Sequence, residues 1–260
     1  MFKFTLKVTE RKIENLEERV NDIKEFLSSK GGVYDELNPD LVIVVGGDGT
    51  LLQALRAYSN YLTSFLVIGA GKLGFYKEYD ISDLTSFYNE FDFDKLIREE
   101  HHLLELYDSN ANKAYAANEF LIASSIRTLD LEIAINSKYF MSTRCSGICI
   151  ASPFGSTAYN CSLGGSIVTG DKGMICNLLA PISNRLTRPT IKSLVLKDED
   201  SITIQITNDA NFELAADMRD VSNLQGKVFT IKKSKRSFNL AHTKECDEYQ
   251  RIKRAFEQKK

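Results

Sequence analysis

Residues 40–55, DLVIVVGGDGTLLQAL, place one carboxylate among glycines at the end of an apolar run. A glycine-rich turn leading from a buried strand into a helix leaves backbone amides unpaired. Those amides, with the partial charge of the helix end, favour an anion such as phosphate. Gly46, Gly47 and Gly49 would let the backbone approach that anion closely, and Thr50 opens the helix. Asp48 needs a different role, because a carboxylate does not stabilise phosphate. It could accept a proton from an attacking hydroxyl or hold a metal ion that bridges phosphates. It could also cap the next helix. The strand–turn–helix context raises the chemical reading, since ligands of open α/β sheets gather at strand carboxyl ends. The turn matches neither the Walker pattern GxxxxGK(S/T) nor GxGxxG.

The flanking elements must hold that turn. Residues 2–8, FKFTLKV, alternate as a strand does, and Ile13, Leu16, Val20, Ile23 and Phe26 recur at helical steps. Gly31-Gly32 ends that helix. Leu41–Val45 is a continuous apolar strand of the kind buried in parallel sheets. A helix near 50–58, a strand at 65–70 and a helix bearing Leu84, Phe87 and Phe91, opened by Asp80 or Ser82, complete the series. The β-α-β-α-β-α order predicts an α/β, Rossmann-like, doubly wound domain over residues 1–97. Short alternating segments then follow, among them LEIAINS, GICIAS and SITIQIT, separated by Asn110, Asn136-Ser137 and Asn208-Asp209. They predict an all-β, β-sandwich-like domain over 98–235. The tail, 236–260, reads as a helix with Tyr249, Ile252 and Phe256 on one stripe, packing back on the first domain.

Composition limits the partners. A formal charge of −2 over 260 residues argues against bulk electrostatic binding to nucleic acid or to an anionic membrane. No apolar run approaches the roughly 20 residues that span a bilayer, and MFKFTLKVTERK lacks the apolar core of a signal peptide. The five cysteines form no CxxC pair, which fits free thiols in a reducing cytosol and a cytoplasmic protein. Cys145 and Cys149, four apart, are expected on one side of a strand as small core residues.

Further motifs give the turn a context. GGDGT occurs in NAD kinases, in diacylglycerol and sphingosine kinases and, in related form, in 6-phosphofructokinases. GKLGFY (71–76), ANEF (117–120), SPFGSTAYNCSLGG (152–165) and LAPISNRLTRP (179–189) follow it in the order that the NAD kinase family shows. The chain therefore resembles that family over nearly its whole length. The resemblance implies transfer of the γ-phosphoryl of ATP, or of polyphosphate, to the 2′-hydroxyl of the adenosine ribose of NAD, giving NADP. Asp48 would be the general base. Gly46, Gly47, Gly49, Thr50, Lys72, Gly74 and Phe75 would hold phosphate and nucleotide. Asn118 and Glu119 would bind the ribose and adenine region, a carboxylate being suited to accept from two sugar hydroxyls.

In the same family reading, Thr157 and Ala158 contact NAD, Tyr159 borders a base, and Ser162 binds near adenine. Pro153 and Gly155 shape that loop, and Asp217 stands close to the site with Met218 as wall. Mg²⁺ arrives with ATP, and no metal ligand from the protein is assigned. A homodimer or homotetramer is implied by analogy. The chain also departs from the family pattern. Ser146 replaces an Asp that contacts the nicotinamide end of NAD, in many members from a neighbouring subunit, and Lys72 replaces a His. His101, His102 and His242 match no family role and read as structural or surface residues. The alternatives are a lipid kinase of the diacylglycerol or sphingosine type, which has no need of ANEF and GSTAYN, and a non-catalytic NAD sensor, which has no need of Asp48.

Overall fold

Leu41–Val45 is buried at every position because it lies inside a sheet covered on both faces. The computed structural model describes residues 1–58, 62–71, 74–185, 191–221 and 224–257, which fall into two compact units. The first unit comprises residues 1–101 and 236–260. It begins β1 (Phe2–Val8), α1 (Leu16–Ser29), β2 (Gly32–Tyr34), β3 (Leu41–Val45), α2 (Asp48–Tyr58), β4 (Ser64–Gly69), β5 (Tyr79–Asp80) and α3 (Thr85–Glu90). β1 pairs in parallel with β2 on one side and β3 on the other, and β3 pairs in parallel with β4. Leu41, Ile43 and Val45 join Ile23, Leu27 and Phe87 in one core, while α2 buries Leu51, Ala54 and Leu55. Alternation sends Val42 and Val44 to the second face. The continuous apolar run is thus the demand of two helical layers.

The second unit, residues 102–235, is built almost entirely of strands, of which the first begins and the last ends in the first unit. They are β6 (Ile97–Asp108), β7 (Lys113–Ala116), β8 (Glu119–Ala123), β9 (Leu129–Ile135), β10 (Lys138–Cys145), β11 (Gly147–Ala151), β12 (Met174–Leu179), β13 (Ser193–Leu196), β14 (Ser201–Ile206), β15 (Glu213–Ala216), β16 (Arg219–Asp220) and β17 (Val228–His242), with the short α4 (Tyr159–Ser162) after β11. One antiparallel sheet runs β13-β12-β11-β8-β15-β16, and a second set runs β10-β9-β14-β17. Phe120, Ile122, Ile148 and Ile150 of the first share a core with Leu131, Ile133, Ile202, Ile204 and Phe229 of the second, as in a sandwich. Cys145 lies in this core, but Cys149 lies in a separate cluster with Ala151 and Ile175 on the sheet's other face. The expectation that they face one side fails because the chain passes from one sheet to the other at Ser146.

The chain returns to the first unit through the end of β17, where Asn239 and Leu240 pair in parallel with Ser64 and Phe65, and closes with α5 (Glu248–Phe256). Asp247 caps α5 by accepting from the N–H of Tyr249 and Gln250. The stripe expected to be buried is not the one that is. Tyr249 and Phe256 stay exposed, and the buried side chain of α5 is Arg251. No helix among the described residues is long and apolar enough to cross a membrane.

Candidate active site

The chain moves from β1 outward to β2, then returns to place β3 on the opposite side of β1. The carboxyl ends of β1 and β3 therefore form a switch point, where open α/β sheets leave a crevice. Thr9 N–H donates to Val45 O at 2.8 Å across this point. A cavity of about 630 Å³ opens there, lined by Gly47, Asp48, Gly49 and Thr50 of the turn and by Glu10 and Arg11 beyond β1. The first intrahelical bonds of α2 come from the N–H groups of Thr50 and Leu51 to Gly47 O. The amides ahead of them have no place in the helix ladder.

The glycines of the turn serve different purposes. A Cβ on Gly46 would fall 2.2 Å from Thr50 Oγ1, so this glycine lets the helix start close against the strand end. Gly49 is exposed and a Cβ there would meet open space. The carboxylate of Asp48 reaches across to a neighbouring loop. Its Oδ1 accepts from Phe75 N–H at 3.1 Å and from Tyr76 N–H at 3.2 Å, and its Oδ2 from Phe75 N–H at 3.0 Å. Gly74 and Phe75 are half-buried in that loop, and Lys72 lies outside the described residues. Arg11 escaped the sequence reading, because nothing local marks a residue just past β1. Only the topology brings it to the turn.

A second cluster belongs to the β-rich unit. Asn118 and Glu119 stand at the start of β8, beside Ala151 at the end of β11. Ser152 N–H donates to Asn118 O at 2.8 Å, and Ser152 Oγ donates to Ala117 O at 2.5 Å. A Cβ on Gly155 would lie 2.2 Å from Asn118 O, so only glycine lets the Phe154–Thr157 turn rest on this backbone. Thr157, Ala158 and Tyr159 are half-buried here, and Ser162 is exposed at the end of α4. Asn160 is fully buried and ties the loop by donating to Ser156 O at 2.8 Å and Ser166 O at 3.0 Å.

Asp217 holds this cluster from the opposite side. It sits with Met218 at positive φ (49° and 61°) in the tight turn from β15 to β16. Its carboxylate accepts from the N–H of Ala117 at 3.1 Å, Asn118 at 2.7 Å and Glu119 at 3.4 Å. It acts as a brace on the Asn118–Glu119 backbone, and Met218 is exposed. Glu119 is 2% exposed, and among the described residues its Oε2 has no hydrogen-bond partner. Burial, together with the nearby charge of Asp217, pushes its carboxyl up to about 7, against the pull of Tyr159 N–H. An orphaned buried carboxylate oxygen suits hydroxyl donors from outside the chain.

Ser146 is not brought to this cluster. Its N–H donates to Leu179 O at 2.9 Å, and its carbonyl accepts from Ser124 N–H at 2.9 Å. It precedes Gly147, whereas Glu119 pairs with Ala151 at the other end of β11, about 17 Å of strand away. The histidines are internal or tied. His242 is buried, with Nδ1 3.2 Å from Glu78 and Nε2 3.3 Å from Glu99. Burial pulls its pKa down, but hydrogen bonds to the two carboxylates win and raise it to about 9. His101 is buried beside Glu99, and His102 Nδ1 lies 2.6 Å from Asp171.

A glycine-rich turn at the switch point of a doubly wound sheet, followed in the chain by a β-rich unit, is the order of parts expected of a kinase of the GGDGT class. Residues 3–92 match the model of the ATP-NAD kinase N-terminal domain, and residues 118–243 that of the ATP-NAD kinase C-terminal domain. The chain belongs to the NAD kinase family and is a phosphotransferase that acts on NAD. It is 34% identical over 222 residues to NAD kinase 1 of Bacillus anthracis, covering 79% of this chain and 83% of that one. It is 30% identical over 246 residues to the NAD kinase of Lactobacillus helveticus, covering 92% and 91%.

Two solved structures share the fold. Yeast NADH kinase complexed with NADH aligns with a TM-score of 0.78 at 19% identity, over 99% of this chain and 87% of that one. An NAD kinase from Archaeoglobus fulgidus in complex with ATP aligns with a TM-score of 0.74 at 19% identity, over 97% and 98%. Neither a lipid kinase nor a non-catalytic sensor is favoured beside this membership.

Proposed function

We propose that Asp48 accepts the proton of the 2′-hydroxyl of the adenosine ribose of NAD as the γ-phosphoryl of ATP, or a phosphoryl of polyphosphate, moves to that oxygen. The products are NADP and ADP, or a polyphosphate one unit shorter. The observation that carries this reading is the position of Asp48, at the switch-point cavity between the amides of Gly47 and Gly49, which lie ahead of the helix ladder. These amides would receive phosphate oxygens, and Arg11 would add a cation at the cavity wall. Mg²⁺, brought as the counter-ion of the ATP substrate, would supply charge neutralisation for the transferred group. Proton abstraction of this type is worth about 10²–10⁴-fold, and in-line positioning of the phosphates contributes beside it.

Asn118 and Glu119 would bind the ribose and adenine region, with Thr157, Ala158, Tyr159 and Ser162 along the same ligand. The orphaned Oε2 of Glu119 supports this assignment. Asp217 would act by bracing Asn118 and Glu119. Ser146, at the far end of β11, fits service to the nicotinamide end of NAD held by a neighbouring copy in a homodimer or homotetramer. The five thiols, all free, support a cytoplasmic location.

The test is an assay with ATP, Mg²⁺ and NAD, followed by an NADP-specific dehydrogenase. NADP formation that is lost in D48N with NAD binding intact is the expected result. A D48N protein as active as the parent makes Asp48 a structural residue.

A further inference from the structure

The loop that holds Asp48 is itself held by the last helix of the chain. Residues 74–77 lie before β5 and outside any strand, and the sheet takes hold only at Glu78, whose N–H donates to Val67 O of β4 at 2.9 Å. Arg254 Nη2 donates to Phe75 O at 3.2 Å and to Lys77 O at 2.9 Å. The carbonyl of Phe75 and the N–H of Tyr76 belong to one peptide unit. In a trans peptide these two groups point in opposite directions. Arg254 therefore grips one edge of a rigid plane whose other edge donates to Asp48 Oδ1 at 3.2 Å.

Arg251 supports the same loop from within. It is 6% exposed, its guanidinium lies 5.9 Å from the Phe75 ring and 5.5 Å from the Tyr76 ring, and its Nη2 is 3.3 Å from Glu99. The end of the loop is tied to the same C-terminal segment, since Thr243 N–H donates to Glu78 Oε1 at 2.9 Å. This explains why α5 docks through arginines and leaves Tyr249 and Phe256 exposed: loop carbonyls and aromatic faces call for guanidinium groups.

We propose that Arg254, backed by Arg251, is a positioning residue, which fixes the direction of the Asp48 carboxylate through the Phe75–Tyr76 peptide. The proposal rests on the reading of Asp48 as the general base. A misdirected base slows the chemical step and leaves substrate binding nearly untouched.

A double-mutant cycle on kcat with the full chain tests it. R254A is expected to lose about tenfold in kcat, with the KM values for NAD and ATP changed by less than about twofold. R254K is expected to recover part of the loss, because an ammonium group can serve one of the two carbonyls. In the D48N background R254A is expected to cost little more, since both changes disable one device. Arg254 is exposed, so R254A is expected to melt close to the parent protein. Unchanged kcat in R254A, a loss confined to KM, or the same loss in D48N as in the parent overturns the proposal while leaving the base reading in place. Full activity of D48N overturns both.

Discussion

Asp48 and Glu119 are two carboxylates with opposite situations. Asp48 is half-buried beside an open cavity, and the N–H groups of Phe75 and Tyr76 hold both its oxygens. Glu119 is almost completely buried, next to a second carboxylate, with one oxygen left without a partner among the described residues. The first is fixed in direction by its own chain, as a group that must meet a reacting atom should be. The second keeps an unused hydrogen-bonding capacity, as a group that must recognise hydroxyls should. Residue type is nearly the same in the two places. The environments differ, and the proposed roles rest on that difference.

The largest expected effect attacks the first half of that contrast. D48N should lose about 10²-fold or more in kcat with little change in NAD affinity, by steady-state kinetics with a parallel binding titration. A loss of NAD binding instead would erase the difference between the two carboxylates. Next, E119A should weaken NAD binding by roughly tenfold or more and ATP binding much less. Equal effects on both ligands would contradict a recognition role.

A pH titration sharpens the same point. The Glu119 carboxyl, pushed up to about 7, is neutral in the free protein below that pH and charged above it. The charged form accepts better from sugar hydroxyls, so NAD binding should be strongest above about pH 7 and weaken as pH falls through it. Calorimetric titrations of NAD between about pH 6 and pH 8 measure this, and E119Q should flatten the curve. The smallest effect is at the cavity rim. R11A should raise the KM for ATP by several fold, on the order of 1 kcal/mol for an exposed cation, and leave the KM for NAD unchanged.

Much of this was legible in the residues. Leu41–Val45 is the buried strand its apolar run implies, and GGDGT stands at its end. Boundaries drifted where local signals were weak: α1 spans Leu16–Ser29, beginning later than Ile13, and α2 starts at Asp48. The short strand Gly32–Tyr34 carries too little pattern to announce itself. In α5 the stripe of Tyr249, Ile252 and Phe256 gives the right period and the wrong face, because guanidinium groups bury against carbonyls and rings as readily as apolar groups do.

By itself, the sequence determined the kinds of element, the order in which they come and the chemistry carried by each motif, since these depend on spacing within a few residues. The tertiary structure decided which groups meet. Asp48 is 27 residues from its partner Phe75, and Arg254 lies 179 residues from that same loop. Asp217 braces Asn118 from 99 residues away, while Ser146 stands at the wrong end of β11 to join them within one chain. Periodicity carries no information about such distant partners. They are set when sheets and helices bury their apolar faces together, and the polar groups left at the strand ends are satisfied by whatever that packing brings within reach.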